Sequence, residues 1–141
     1  MVEIEIQYEG GLRCRAVHGP SRVELRSDAP LDNQGRGESF SPTDLVATAL
    51  GTCMATCMGM VARRNGWAIE GTRVHVKKGM VADPKRRIGR LDVRIEVPGE
   101  HDPAARATLE ETARTCPVAL SIHPGIEAQI EFVWSRARAR T

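Results

Sequence analysis

Four cysteines are the residues of this sequence best suited to chemistry. Cys53 and Cys57 stand four positions apart in TALGTCMATCMGM, residues 48–60, within a run that carries no charge. Cys116 stands directly before Pro117, and Cys14 lies between Arg13 and Arg15. Thiols so placed are open to four readings: metal ligands, a redox pair, a nucleophile with a bystander, or core filling. The C-x3-C spacing of Cys53 and Cys57 is not a zinc pattern, and Cys14 and Cys116 have no ligand-spaced neighbour, so no metal is expected. His18, His75, His101 and His123 share no spacing that suggests a relay. The chain has no dinucleotide fingerprint, no phosphate loop and nothing like a serine triad. What chemistry there is belongs to sulfur.

Taken one at a time, the thiols differ. On a helix, Cys53 and Cys57 share a face with Cβ atoms about 5–6 Å apart and side chains running side by side. A disulfide wants Cβ atoms about 3.8 Å apart on converging vectors, so a partner for either thiol has to come from elsewhere. Cys116 is the candidate. A cysteine before a proline-initiated helix sits where backbone N–H groups and the helix dipole favour a thiolate. The plainer reading, a small capping or core residue, stays open beside it. Cys53 lies about three turns into its helix, too deep for the dipole, and needs a nearby cation if it is reactive; otherwise it is a buried, inert thiol. Cys57 and Cys14 read as packing residues.

The elements that must position these residues follow from periodicity. VEIEIQY (2–8) alternates as a half-buried strand, GG (10–11) marks a turn, and LRCRAVH and SRVELRS continue a small antiparallel meander. Residues 28–42 are rich in Gly, Pro, Asp and Asn and form a loop. Ser41 then acts as N-cap, Pro42 fits the first helical position, and Asp44 completes a capping box. Val46, Leu50, Cys53, Cys57 and Met60 or Val61 recur at helical spacing, and the helix ends near Asn65-Gly66 with Arg63 and Arg64 at its negative end. Leu45–Ala62 is 18 residues without a charge, the lower edge of a membrane-spanning length. Its three threonines, two glycines and two cysteines favour instead a helix buried on nearly all sides. One short chain has difficulty covering such a helix, which predicts a homodimer.

GTRVHVKKGMV and RRIGRLDVRIEVP read as strands joined by ADPK. DPAARATLEETART is a helix capped by Asp102, TCPVALSIHPG starts another with Thr115 or Cys116 as cap, and IEAQIEFVW is a closing strand. The result is an α+β fold with helices packed on antiparallel sheet. The 141 residues suit one domain, 1–141, with the basic SRARART (135–141) as a solvated tail. A net charge of +2, with no aromatics among the terminal arginines, gives no reason to expect nucleic acid. The acidic, alternating N-terminus is no signal peptide, so a reducing cytoplasm is the expected location.

SFSPTDLVATALGTCMATCMGMVARRNGW, followed downstream by TCPVALSI, resembles the OsmC/Ohr superfamily, the osmotically inducible protein C and organic hydroperoxide resistance proteins. The similarity runs from the first strands to IEFVW. Its strongest marks are the S-P-x-x-L helix start, A-L-G-x-C and the second C-P; ALGTC and ARRNGW look more like the OsmC-like branch. The resemblance implies antiparallel sheets around a long central helix in an intertwined homodimer, with sites at the subunit interface. It matches Cys53 to the peroxide-attacking cysteine and Cys116 to the resolving one. The family's arginine comes from the early strands, where Arg13 is preferred and Arg15 shares its parity. The family's glutamate, ten residues before the first cysteine, is replaced here by Thr43. Asp44, next door, differs from it by about 100° around the helix.

The activity so implied is a thiol peroxidase: Cys53 attacks an organic hydroperoxide, Cys116 closes a disulfide, and an external dithiol reduces it without a bound cofactor. Leu50, Met54 and Met58 would give the nucleophile apolar surroundings. The threonine at position 43 motivates an alternative from another class, a non-catalytic redox sensor or small-molecule binder. A third reading keeps the fold and denies the thiols any redox role.

Overall fold

A computed structural model of the chain describes residues 1–135. The expected basic tail, apart from Ser135, lies outside the described residues. The chain divides into two compact units, Met1–Val46 and Ala47–Thr141.

In the first unit, β1 (Ile4–Gly10), β2 (Arg13–His18) and β3 (Glu24–Asp28) form the expected antiparallel meander in that order. The β1–β2 turn runs through three left-handed residues, Gly10, Gly11 and Leu12, and glycine provides two of them without steric cost. The register sets Tyr8 opposite Cys14 and Cys14 opposite Ser27, which leaves Arg13 and Arg15 on the other face. Alternation in β1 predicts a half-buried strand, yet Ile4, Ile6 and Tyr8 are all more than 60% exposed. Their face of the sheet is uncovered in a single copy. Loop 28–42 holds one short 3-10 helix, Leu31–Asn33, and leads into α1 (Pro42–Asn65). The capping box at its start forms as expected: the Ser41 N–H donates to Asp44 Oδ2 at 2.9 Å and the Asp44 N–H donates to Ser41 Oγ at 3.1 Å.

The second unit takes α1 from Ala47 to Asn65, where Gly66 in the left-handed region ends it. There follow β4 (Arg73–Val81), β5 (Arg87–Val97), α2 (Pro103–Arg114), α3 (Pro117–Ser121) and β6 (Glu127–Trp134). The sheet order is β4-β5-β6. β4 and β5 pair antiparallel, but β6 runs parallel to β5. This corrects the expectation of purely antiparallel sheets: α2 and α3 form a crossover, and a crossover returns the chain in its original direction.

Leu91, Val93, Ile95 and Val97 of β5 turn inward with Leu109 and Ala113 of α2, all 2% exposed or less. Asp102 caps α2 by accepting the Ala105 N–H at 2.7 Å. From α1 the buried residues are Ala47, Leu50, Gly51, Met54, Met58 and Ala62, one face at helical spacing. Burial on nearly all sides is therefore not found in one copy. The inward stripe also differs from the expected one, because Cys53 and Cys57 flank it and Met60 is exposed. Gly51 explains the choice of face: a Cβ there would lie 3.0 Å from Val76 Cγ2 and 3.2 Å from Val74 Cγ1, so the helix backbone rests directly on β4. By length and composition α1 is also the one described helix that could cross a bilayer.

Candidate functional site

The site is built from two helix positions and one helix start. Cys53 and Cys57 occupy successive turns of α1, both half-buried. Cys116 is the N-cap of α3: its backbone is extended, Pro117 takes the first helical position, and its Sγ accepts the Ala119 N–H at 3.4 Å. Thr115, the other candidate cap, instead closes the C-terminus of α2, where its N–H donates to the Glu111 carbonyl at 3.1 Å. Since only Thr115 and Cys116 separate α2 from α3, the buried face of α2 sets where Cys116 lies.

The fold brings the three thiols together. Cys53 is a neighbour of both Cys116 and Cys57, close enough to perturb each thiol. All are free thiols. Cys116 is 1% exposed. Burial pushes its thiol up, and the neighbouring sulfurs add to the shift against the opposing N–H of Ala119. This overturns the expectation of a thiolate favoured at that position: α3 is one five-residue turn, and its few N–H groups do not offset desolvation. Burial likewise pushes the Cys57 thiol up, and the neighbouring Cys53 sulfur adds to the shift. Cys57 is thus a neighbour of the candidate nucleophile as well as a packing residue. The i, i+4 spacing carried that signal.

The first unit holds the candidate arginines in ion pairs of their own. Arg13 Nη2 lies 3.1 Å from Glu38 Oε2 and 3.5 Å from Asp28 Oδ2; Arg15 Nη1 lies 2.8 Å from Glu24 Oε1. Asp28 is buried, and its carboxyl is held below the ordinary carboxylate range, first by the Glu38 N–H and, against the cost of burial, by Arg13. Among the described residues its Oδ1 has no hydrogen-bond partner. Sequence reading treated 28–42 only as a loop and missed these carboxylates. The signal was in the meander, whose register sets Asp28 opposite Arg13. Thr43 Oγ1 lies 3.2 Å from Ser41 Oγ, and Asp44 is engaged in the capping box. Cys14 is half-buried in β2. Among the described residues no three His, Cys, Asp or Glu side chains are grouped as a metal site.

Comparison with known families finds the model for OsmC-like protein matching residues 35–131. No curated protein matches the chain. Among solved structures, one from Psychrobacter arcticus 273-4, described as a candidate osmotic stress induced and detoxification response protein, is 45% identical. It superposes with a TM-score of 0.89 over 94% of this chain and 96% of that one. An organic hydroperoxide resistance protein OsmC from Legionella pneumophila is 16% identical, with a TM-score of 0.76 over 94% and 96%. The organic hydroperoxide resistance protein OhrB of Bacillus subtilis is 14% identical, with a TM-score of 0.68 over 94% and 97%. At those last two identities the likeness is one of fold.

Proposed function

We propose that this chain, which belongs to the OsmC-like protein family within the OsmC/Ohr superfamily, reduces organic hydroperoxides by thiol chemistry. The observation that supports the reading is the neighbourhood of Cys53 and Cys116, two thiols distant in sequence that the fold brings close enough for one to perturb the other. In the first step the Cys53 thiolate attacks the terminal peroxide oxygen. The O–O bond breaks, the alkoxide leaves and is protonated to the alcohol, and Cys53 becomes a sulfenic acid. In the second, Cys116 attacks the Cys53 sulfur, water leaves, and a disulfide forms. An external dithiol supplies two electrons and two protons to restore both thiols.

The half-buried state of Cys53 and the full burial of Cys116 suit these unequal roles. Peroxide has to reach only the first sulfur, and the second needs to reach only its neighbour. Leu50, Met54 and Met58 share the helix with Cys53, and their inward face favours an organic over a fully polar peroxide. Arg13 is the proposed thiolate-orienting arginine, with Arg15 the alternative. The family match crosses both compact units, which supports treating the chain as one domain. The uncovered faces, Ile4, Ile6 and Tyr8 on β1 and Met60 on α1, support a homodimer. Free thiols fit a cytoplasmic setting.

The test is turnover of cumene hydroperoxide with dithiothreitol, together with peptide mapping. Peroxide should produce a Cys53–Cys116 disulfide, Cys53→Ser should abolish turnover, and Cys116→Ser should oxidise once and stall. Both thiols free after peroxide, with no loss of titratable sulfhydryl, rejects the proposal. A second reading, a redox sensor or small-molecule binder, is favoured by Thr43 at the family's glutamate position and by the two carboxylates that hold Arg13. Oxidation of Cys53 without turnover supports the sensor; no oxidation supports the binder.

A further inference from the structure

Two carboxylates meet the Arg13 guanidinium, and they are unequal. We infer that Asp28 is the positioning residue for Arg13: its buried carboxylate, and not the nearer carboxylate of Glu38, fixes where that guanidinium sits. The inference deepens the proposed function and rests on Arg13 being the arginine that orients the Cys53 thiolate.

Distance alone favours Glu38. Its Oε2 lies 3.1 Å from Arg13 Nη2 and accepts a hydrogen bond from it, whereas Asp28 Oδ2 lies 3.5 Å from the same nitrogen. Surroundings reverse the order. The Asp28 side chain is 0% exposed and that of Glu38 is 53% exposed. Attraction weakens by only about a tenth over that difference in distance, while the effective dielectric differs about fourfold between the protein boundary and open water. Glu38 is also shared, because its Oε1 lies 4.0 Å from Arg36 Nη1. An exposed pair that must hold two long side chains in one geometry contributes little.

Asp28 is itself fixed before it meets the arginine. It lies opposite Arg13 in the β2–β3 register, so the two side chains stand on one face of the sheet. Its N–H donates to the Phe40 carbonyl at 3.0 Å, and the Ala29 N–H donates to the Leu12 carbonyl at 3.1 Å. Asp28 Oδ2 accepts the Glu38 N–H at 3.0 Å, which ties the loop to the same oxygen that faces Arg13. A carboxylate so supported has little freedom left to lose when a guanidinium docks on it. The Arg13 side chain is 39% exposed and keeps a side from which a reagent can reach it.

The experiment measures modification of Arg13 by phenylglyoxal, read site by site by mass spectrometry, in the full chain as wild type, Asp28→Asn and Glu38→Gln. Circular dichroism checks that each variant is folded. Asparagine matches aspartate in shape and keeps an oxygen for the Glu38 N–H, so it removes the charge and leaves the loop its hydrogen bond. Asp28→Asn should speed modification by about tenfold, the scale of a lost contact to a charged group. Glu38→Gln should speed it by about twofold, the scale of an exposed pair. Salt supplies a readout that a merely structural role would not move. Adding about 0.5 M NaCl should change the wild-type rate by less than about twofold, yet speed Asp28→Asn, where the screened Glu38 pair remains. Equal rates for wild type and Asp28→Asn, or a larger effect from Glu38→Gln, overturn the inference. If Asp28→Asn does not fold, the wild type decides: a rate that climbs several-fold with salt makes the exposed pair the holder and overturns it. Turnover of cumene hydroperoxide is followed beside these rates. A loosened Arg13 with lower turnover supports both readings, and a loosened Arg13 with unchanged turnover upholds Asp28 as its anchor but removes Arg13 from the cycle. An inactive wild type rejects the peroxidase reading, while Arg13 modification still decides this one.

Discussion

Replacing Gly51 by alanine sets two effects of known size against each other. In a helix interior alanine is favoured over glycine by about 1 kcal/mol. The new methyl would lie 3.0 Å from Val76 Cγ2 and 3.2 Å from Val74 Cγ1, both closer than ordinary contact. Whether those methyls can yield decides the sign. Each belongs to a β-branched side chain with stiff χ1. Val76 is backed across the strand pair by Val93 and Val74 by Ile95, which are 2% and 0% exposed. Held by that stiffness, the two methyls meet the new one with overpacking that costs about 1–3 kcal/mol, and the net is a loss of about 1 kcal/mol. Urea unfolding followed by circular dichroism should show a lower midpoint at unchanged slope. Because Cys53 lies two residues on, a helix lifted from β4 should also slow formation of the proposed Cys53–Cys116 disulfide. A Gly51→Ala variant that is more stable than wild type, with disulfide formation at the wild-type rate, would refute the reasoning.

Three further outcomes are expected. Leu109→Ala, which empties a fully buried position on α2, should cost about 2–5 kcal/mol in the same urea assay. Asp28 is held below its ordinary value in the fold, so its stabilisation is present above about pH 4 and drains away as pH falls through the folded value. Asp28→Asn should flatten that part of the acid profile, and an unchanged acid slope would count against the Arg13–Asp28 pair. Cys116 is pushed up, so the fold favours its protonated form; stability should fall as pH rises past the ordinary thiol range and reach its full loss above the folded value. Cys116→Ala should show a shallower alkaline decline than wild type.

Local signals were legible residue by residue. Ser41, Pro42 and Asp44 announced the start of α1, Gly66 its end, and Asp102 the start of α2; all five act within a turn of where they stand in the chain. The family motifs were legible for the same reason, since SPTDL, ALGTC and TCP are short runs. What failed were inferences about partners. The helical stripe through Cys53 and Cys57 looked inward because cysteines count as apolar. The true inward face was chosen by Gly51, the position where α1 can press against Val74 and Val76.

The sequence by itself determined the elements and their caps, because these depend on backbone sterics and bonds closed within a few residues, and its resemblance to the family made Cys53 and Cys116 the candidates. Only the tertiary structure decided that β6 joins β5 in parallel, that Cys53 neighbours both Cys57 and Cys116, that burial outweighs the α3 N–H groups at Cys116, and that Arg13 is held by Asp28 and Glu38. Each of these depends on which surfaces meet and how much water leaves between them. Desolvation and ion pairing are properties of such a meeting, and no single segment carries them in its composition.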